Sequence, residues 1–251
     1  MNTSKMCQNE PKSFYRRNLP HIQTPGATLF VTFQLAGSIP QHILARWRTE
    51  KLQFDREKSR MLRLQNVSAP PSTQHRHFEE KNKRLEWNRQ WFRKFEKTLD
   101  SEESGPVWLK DDRIAKEVAE SLHYRDGKVY CLEAYCIMSN HVHAVFTPLA
   151  MRSSEAGVVN SAENTIQTKD WPYNSLSLIM NSLKGYTAYK ANRILGRSGT
   201  FWQPESYDHV IRDANEWQRI ITYVLNNPVK AGLVDRWEKW QWSYCRCSNV
   251  A

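Results

Sequence analysis

Two histidines, His141 and His143, flank a single valine in the run His141-Val-His-Ala-Val-Phe-Thr147. In a β-strand, side chains two apart point to the same face, so both imidazoles can reach one divalent cation. Val142 then points the other way, into the core. A second chemically capable residue is Tyr223, set between Ile220 and Val224, with Asn227 four residues on, one turn further if the helix continues. A phenol ionises near pH 10, so a tyrosine nucleophile needs a cation, local positive charge or a proton acceptor beside it. A histidine-bound cation polarising a phosphate and a tyrosine attacking it are therefore compatible parts of one reaction. Tyr186 and Tyr189 compete for the nucleophile's role, because Lys184, Lys190 and Arg193 lie close to them in the chain. Packed histidines and an amphipathic core tyrosine are the plainer reading of the same residues.

The elements that must position these groups follow from periodicity and punctuation. Gly26–Leu35 alternates Leu29, Val31 and Phe33 against Phe30 and Thr32 and predicts a strand. Lys128–Ile137 and His141–Thr147 predict two further strands, joined at Met138-Ser139-Asn140 as a hairpin. Helices are expected after Pro40, in a charged continuation that Pro70 and Pro71 interrupt. Others are expected at Asp111–Tyr124, Ser175–Leu195 and Asp213–Leu225, the last closed by Pro228. The charged stretch His75–Leu99 carries Trp87, Trp91, Phe92 and Phe95 at helical spacing, which reads as a packing stripe, with a nucleic-acid stacking surface as the lesser alternative. Phe201–Ile211 is a short strand or extended segment. The tryptophans of Trp237–Tyr244 cap the core or stack on bases, with capping preferred.

Composition bounds the class. The chain has 251 residues with 36 Lys and Arg against 26 Asp and Glu, a formal net charge of +10. That suits a nucleic-acid partner without establishing one, since such a charge also keeps a protein soluble. No apolar run approaches a membrane span and the N-terminus lacks the apolar core of a secretory signal, so a cytoplasmic protein with no membrane partner is expected. Five cysteines, Cys7, Cys131, Cys136, Cys245 and Cys247, show no zinc-knuckle spacing, and an odd count fits a reducing compartment. Lys184, Lys190, Arg193, Arg197 and Arg212 form a basic stretch suited to a phosphate backbone or to a solvated face. His209 is compatible with a place near a metal or a phosphate, or with stabilising its own segment, and is not assigned as a ligand.

Taken in order, these motifs resemble a known family. Gly26–Leu35, Tyr135-Cys-Ile-Met-Ser-Asn-His-Val-His143, Phe201-Trp-Gln-Pro-Glu-Ser-Tyr-Asp-His-Val-Ile-Arg212 and Tyr223-Val-Leu-Asn-Asn-Pro-Val-Lys-Ala-Gly-Leu-Val234 together are similar to IS200/IS605-type single-tyrosine transposases, in the branch associated with repetitive extragenic palindromes. The resemblance implies an α/β (α+β) fold: a ferredoxin-like antiparallel sheet with helices on one face, forming the core named for its histidine–hydrophobic–histidine motif. It implies that His141 and His143 bind catalytic Mg²⁺ or Mn²⁺ and that Tyr223 is the nucleophile. Asn227 stands where a polar residue completes the metal site, in place of the glutamine of the insertion-sequence branch. It further implies a DNA transposase acting on single-stranded or hairpin-forming, palindromic DNA through a 5′-phosphotyrosine. The expected organisation is a single domain over 1–251. A charged helical insertion is expected at about 50–105, an extended loop at about 150–172 and a Trp-rich segment at 235–251. Monomer and homodimer both occur in the family and stay open here. The alternatives are a non-catalytic nucleic-acid-binding regulator on the same fold and a metal-dependent phosphodiesterase that uses water.

Overall fold

The computed structural model describes residues 13–16, 20–23, 26–65, 73–100, 105–150 and 174–246. The loop expected at about 150–172, the end of the Trp-rich segment, Cys7 and Cys247 fall outside the described residues, apart from Ala150. The chain divides into two compact units, one of residues 1–35 and 108–251, the other Ala36–Val107.

In the first unit, β1 (Ser13–Arg16) and β2 (Pro20–Gln23) form an antiparallel pair. The main sheet is built from β3 (Leu29–Gln34), β4 (Tyr130–Ile137), β5 (His141–Pro148), β6 (Tyr207–Val210) and β7 (Ser243–Cys245). Its strand order is β6-β3-β5-β4-β7, antiparallel throughout. With α3 (Asp112–Arg125) after β3 and α4 (Leu176–Ile194) after β5, the order β3-α3-β4-β5-α4-β6 is the β-α-β-β-α-β arrangement of a ferredoxin-like fold. The fold class is the one that the resemblance implies.

One face of the sheet is apolar at every alternate position. Leu29, Val31 and Phe33 of β3 and Val142, Ala144 and Phe146 of β5 share a core with Ile114, Val118 and Leu122 of α3 and Ile179 and Leu183 of α4. Each large side chain fully buried here contributes roughly 1.5–3 kcal/mol. On β4 the register shifts between Leu132 and Ala134. That extra residue lets Tyr130 and Leu132 before it, and Tyr135 and Ile137 after it, all reach the same core. Without the bulge, the strict period of two would turn Tyr135 and Ile137 to the opposite face.

The β4–β5 connection is the tight hairpin expected: Met138 N–H donates to the His141 carbonyl at 2.9 Å, leaving Ser139 and Asn140 as the loop. The segment Phe201–Ile211 resolves into an extended run along β3. The Gln203 and Ile211 amides donate to the Gln34 and Thr28 carbonyls, with β6 between them. β7 was not foreseen. The Trp-rich tail caps the core through Trp242, and it also adds an edge strand to β4, with Trp240 Nε1 donating to the Ile137 carbonyl at 3.0 Å.

The second unit holds α1 (Gln41–Gln65) and α2 (Thr73–Asp100). The aromatic stripe packs as expected: Trp47 meets Trp91 and Phe95 at ring-centroid distances of 5.8 and 6.3 Å, and Phe54 stacks on Trp87 at 4.9 Å. Its ends approach closely at Gly105, which has φ +99°, and a Cβ there would lie 2.5 Å from the Gly37 carbonyl oxygen. Only glycine fits both the left-handed backbone and that approach. No helix among the described residues is long and apolar enough to cross a membrane.

Candidate functional site

Strand alternation on β5 sends Val142, Ala144 and Phe146 into the core and His141 and His143 to the other face. There the two imidazoles converge, with Nε2 atoms 3.1 Å apart and ring planes inclined by 72°. Both are buried, at 1% and 0% exposure. Each Nδ1 has a partner of its own: Asn140 Oδ1 lies 2.6 Å from His141 Nδ1, and Thr32 Oγ1 lies 2.8 Å from His143 Nδ1. The β3–β5 register sets Thr32 directly opposite His143. Phe30 stacks on the His143 ring at 5.6 Å. Burial, then the neighbouring His141, then the positive charge of Lys230, hold the His143 imidazolium pKa well below its ordinary value. A neutral imidazole is the form that ligates a metal. This pair is positioned to coordinate a divalent cation.

Over the same face lies α5 (Ala214–Leu225). Its start is set by Asp213, whose side chain accepts the Glu216 amide at 2.8 Å, and its apolar stripe buries Ile221, Val224 and Leu225. Tyr223 is half-buried, its ring centroid 5.5 Å from that of His143 and 6.1 Å from that of Phe30. The helix pauses at Asn226 and resumes as the short α6 (Asn227–Lys230), with Pro228 in its first turn, where a missing N–H costs nothing. Pro228 thus ends α5 as expected while a further turn follows. Asn227 is 1% exposed, and neither its amide nitrogen nor its carbonyl oxygen has a hydrogen-bond partner. An orphaned buried amide costs about 1–3 kcal/mol. A carbonyl oxygen of this kind is the type of ligand that Mg²⁺ and Mn²⁺ accept.

The cations singled out in the sequence are not gathered at this face. Lys184 is buried on α4, its ammonium donating to the carbonyls of Gln203, Pro204 and Glu205 at 2.9–3.4 Å. Lys190 pairs with Glu117 at 3.0 Å, and the Arg193 guanidinium donates to the Tyr189 hydroxyl at 3.0 Å. Arg197 sits over the Trp108 ring at 4.2 Å. These four belong to α4 and its exit, and α4 packs on the face opposite the histidines. Tyr186 and Tyr189 share that helix and are exposed. Arg212 is exposed just before α5.

Sequence reasoning missed Thr32, Asn140, Lys230 and the His209–Glu216 pair. A signal existed for two of them: Thr32 is a polar residue among aromatics on a strand, and Asn140 immediately precedes the histidine motif. His209 lies opposite Phe30 on β6 and is bonded to Glu216 Oε1 at 2.9 Å, while Glu216 Oε2 accepts the Arg212 amide. This ties the first turn of α5 to the sheet. Burial raises the Glu216 pKa, but the bonds from His209 and Arg212 outweigh it and hold the carboxyl below its usual range. A carboxylate with a depressed folded-state pKa contributes stability above its unfolded pKa and loses it as the pH falls through the folded value. Glu216→Gln is therefore expected to lower unfolding free energy by about 1–2 kcal/mol at pH 7. The gap from wild type should close below about pH 4. Urea unfolding at both pH values checks this, and a gap unchanged by acid would count against a role for the ionised Glu216 carboxylate.

No protein-family model matches the chain, and no curated protein does. Among solved structures, a tyrosine transposase associated with REP elements, bound to a REP hairpin, matches with 14% identity, covering 92% of this chain and 81% of that one at a TM-score of 0.42.

Proposed function

We propose that the protein is a metal-dependent DNA strand-transfer enzyme of the single-tyrosine transposase kind, acting on single-stranded or hairpin-forming palindromic DNA. The observation that carries this reading is the packing of Tyr223 against His143, which sets a phenol beside the converging imidazoles. His141, His143 and Asn227 are the residues that would hold Mg²⁺ or Mn²⁺. When bound, the cation withdraws charge from a phosphate oxygen and offsets the charge that develops during attack.

The chain's own residues do the rest. The Tyr223 phenol oxygen attacks the scissile phosphorus and loses its proton to solvent, the bond from phosphorus to the 3′-oxygen breaks, and a 5′-phosphotyrosine linkage forms. The departing 3′-oxygen takes up a proton from solvent and leaves as a hydroxyl. Attack by the 3′-hydroxyl of a second strand reverses these steps and exchanges strands, so no nucleotide triphosphate is consumed. Exposed cations, Arg193 and Arg212 among them, would contribute phosphate contacts that bind without reading sequence. The two units are read together as one functional domain.

The test is to incubate the protein with hairpin oligonucleotides and Mn²⁺ and to determine the mass of every product. A covalent protein–DNA adduct with release of a 3′-hydroxyl supports the proposal. Cleavage without an adduct would make it a water-using phosphodiesterase, and binding without cleavage a regulator.

A further inference from the structure

The two Nε2 atoms that face each other at 3.1 Å can address one cation only if neither carries a proton. Which nitrogen of each ring is protonated is decided on the other side of the ring, by the Nδ1 partner. For His141 that partner is Asn140 Oδ1, an amide oxygen that only accepts, at 2.6 Å. His141 Nδ1 is therefore the donor and its Nε2 keeps the lone pair. For His143 the partner is the Thr32 hydroxyl, at 2.8 Å and fully buried, and a hydroxyl can do either. If it donated, the proton on His143 would lie on Nε2, between the two rings, where the cation belongs. If it accepts, both lone pairs converge.

We infer that Thr32 and Asn140 are positioning residues that hold His143 and His141 in the Nδ1–H tautomer, so that the strand pair itself builds a chelate. The inference rests on the proposed metal site and assigns its supporting residues. The physical reason for the arrangement is register. β3 and β5 pair so that Thr32 is opposite His143, and the two-residue hairpin loop brings the Asn140 side chain back onto His141. Turning either ring to offer its other nitrogen would break its Nδ1 bond to Asn140 or Thr32.

The probe is Mn²⁺ alone, with free ion measured by electron paramagnetic resonance during titration of wild type, Thr32→Val, Thr32→Ser, Asn140→Ala and His141→Ala. Valine keeps the branched shape suited to the strand but accepts no hydrogen bond. Thr32→Val and Asn140→Ala are expected to weaken Mn²⁺ binding about 10–100-fold, with Thr32→Ser within about threefold of wild type. Thermal unfolding of each variant without metal separates lost fold from lost affinity. As a readout independent of any variant, wild type with ¹⁵N-labelled histidine and Zn²⁺ should show the His143 proton on Nδ1, in a hydrogen-bonded position. Folded Thr32→Val binding Mn²⁺ like wild type, or a His143 that ligates through Nδ1, would overturn the inference while leaving the site intact. If wild type binds Mn²⁺ no better than His141→Ala, the proposed site fails as well.

Discussion

Tyr223→Phe is expected to abolish the covalent DNA adduct and to reduce strand cleavage by at least about 10³-fold, on the order of 4 kcal/mol in the barrier. Phenylalanine keeps the ring that packs on His143 and Phe30, so the face around the imidazoles should hold its shape. The change removes one oxygen, and that oxygen is the proposed nucleophile. Hairpin binding in chelator should stay within about twofold of wild type, because backbone contacts from several cations supply most of it. The measurement pairs an adduct assay on denaturing gels with a binding titration. Peptide mapping identifies the linked residue in wild type. An adduct that survives in Tyr223→Phe, or one mapped to Tyr186 or Tyr189 of α4, would move the nucleophile to the other face of the sheet and sink the assignment.

His141→Ala should separate metal from fold in the same way. It deletes one of two converging nitrogens and removes the buried bond between His141 Nδ1 and Asn140 Oδ1, so the folded state should lose about 1 kcal/mol. The larger effect is on chemistry: at limiting Mn²⁺, adduct yield should fall about 100-fold or more, with partial recovery at high Mn²⁺ as the remaining ligands are driven by mass action. DNA affinity in chelator should change little. Equal adduct yields at limiting metal would remove His141 from the site. A parallel loss of binding and of cooperative unfolding would instead mark the histidine as a core residue.

The histidine pair could be read from the chain because its geometry is local. Alternation along His141–Thr147 has a period of two, so the common face of His141 and His143 and the opposite placement of Val142 follow from residue order alone. The hairpin at Ser139-Asn140 is likewise local, closed by Met138 and His141, and the helix spanning Ala214–Leu225 is bounded by Asp213 and Pro228. What lies across the sheet was not accessible in this way. That Thr32 stands opposite His143, and that α5 carries the Tyr223 ring to within 5.5 Å of it, depend on strand register and helix docking between segments far apart in sequence. Lys184 makes the same point in reverse. As one of a run of cations it read as a DNA contact, but packing buries it and gives its ammonium three loop carbonyls. β7 could not be anticipated either, because three residues carry too little periodicity, and only the free edge of β4 makes them a strand. Local pattern sets which way a side chain points; what it meets there is set by the long-range packing of the apolar faces, which the order of residues encodes only collectively.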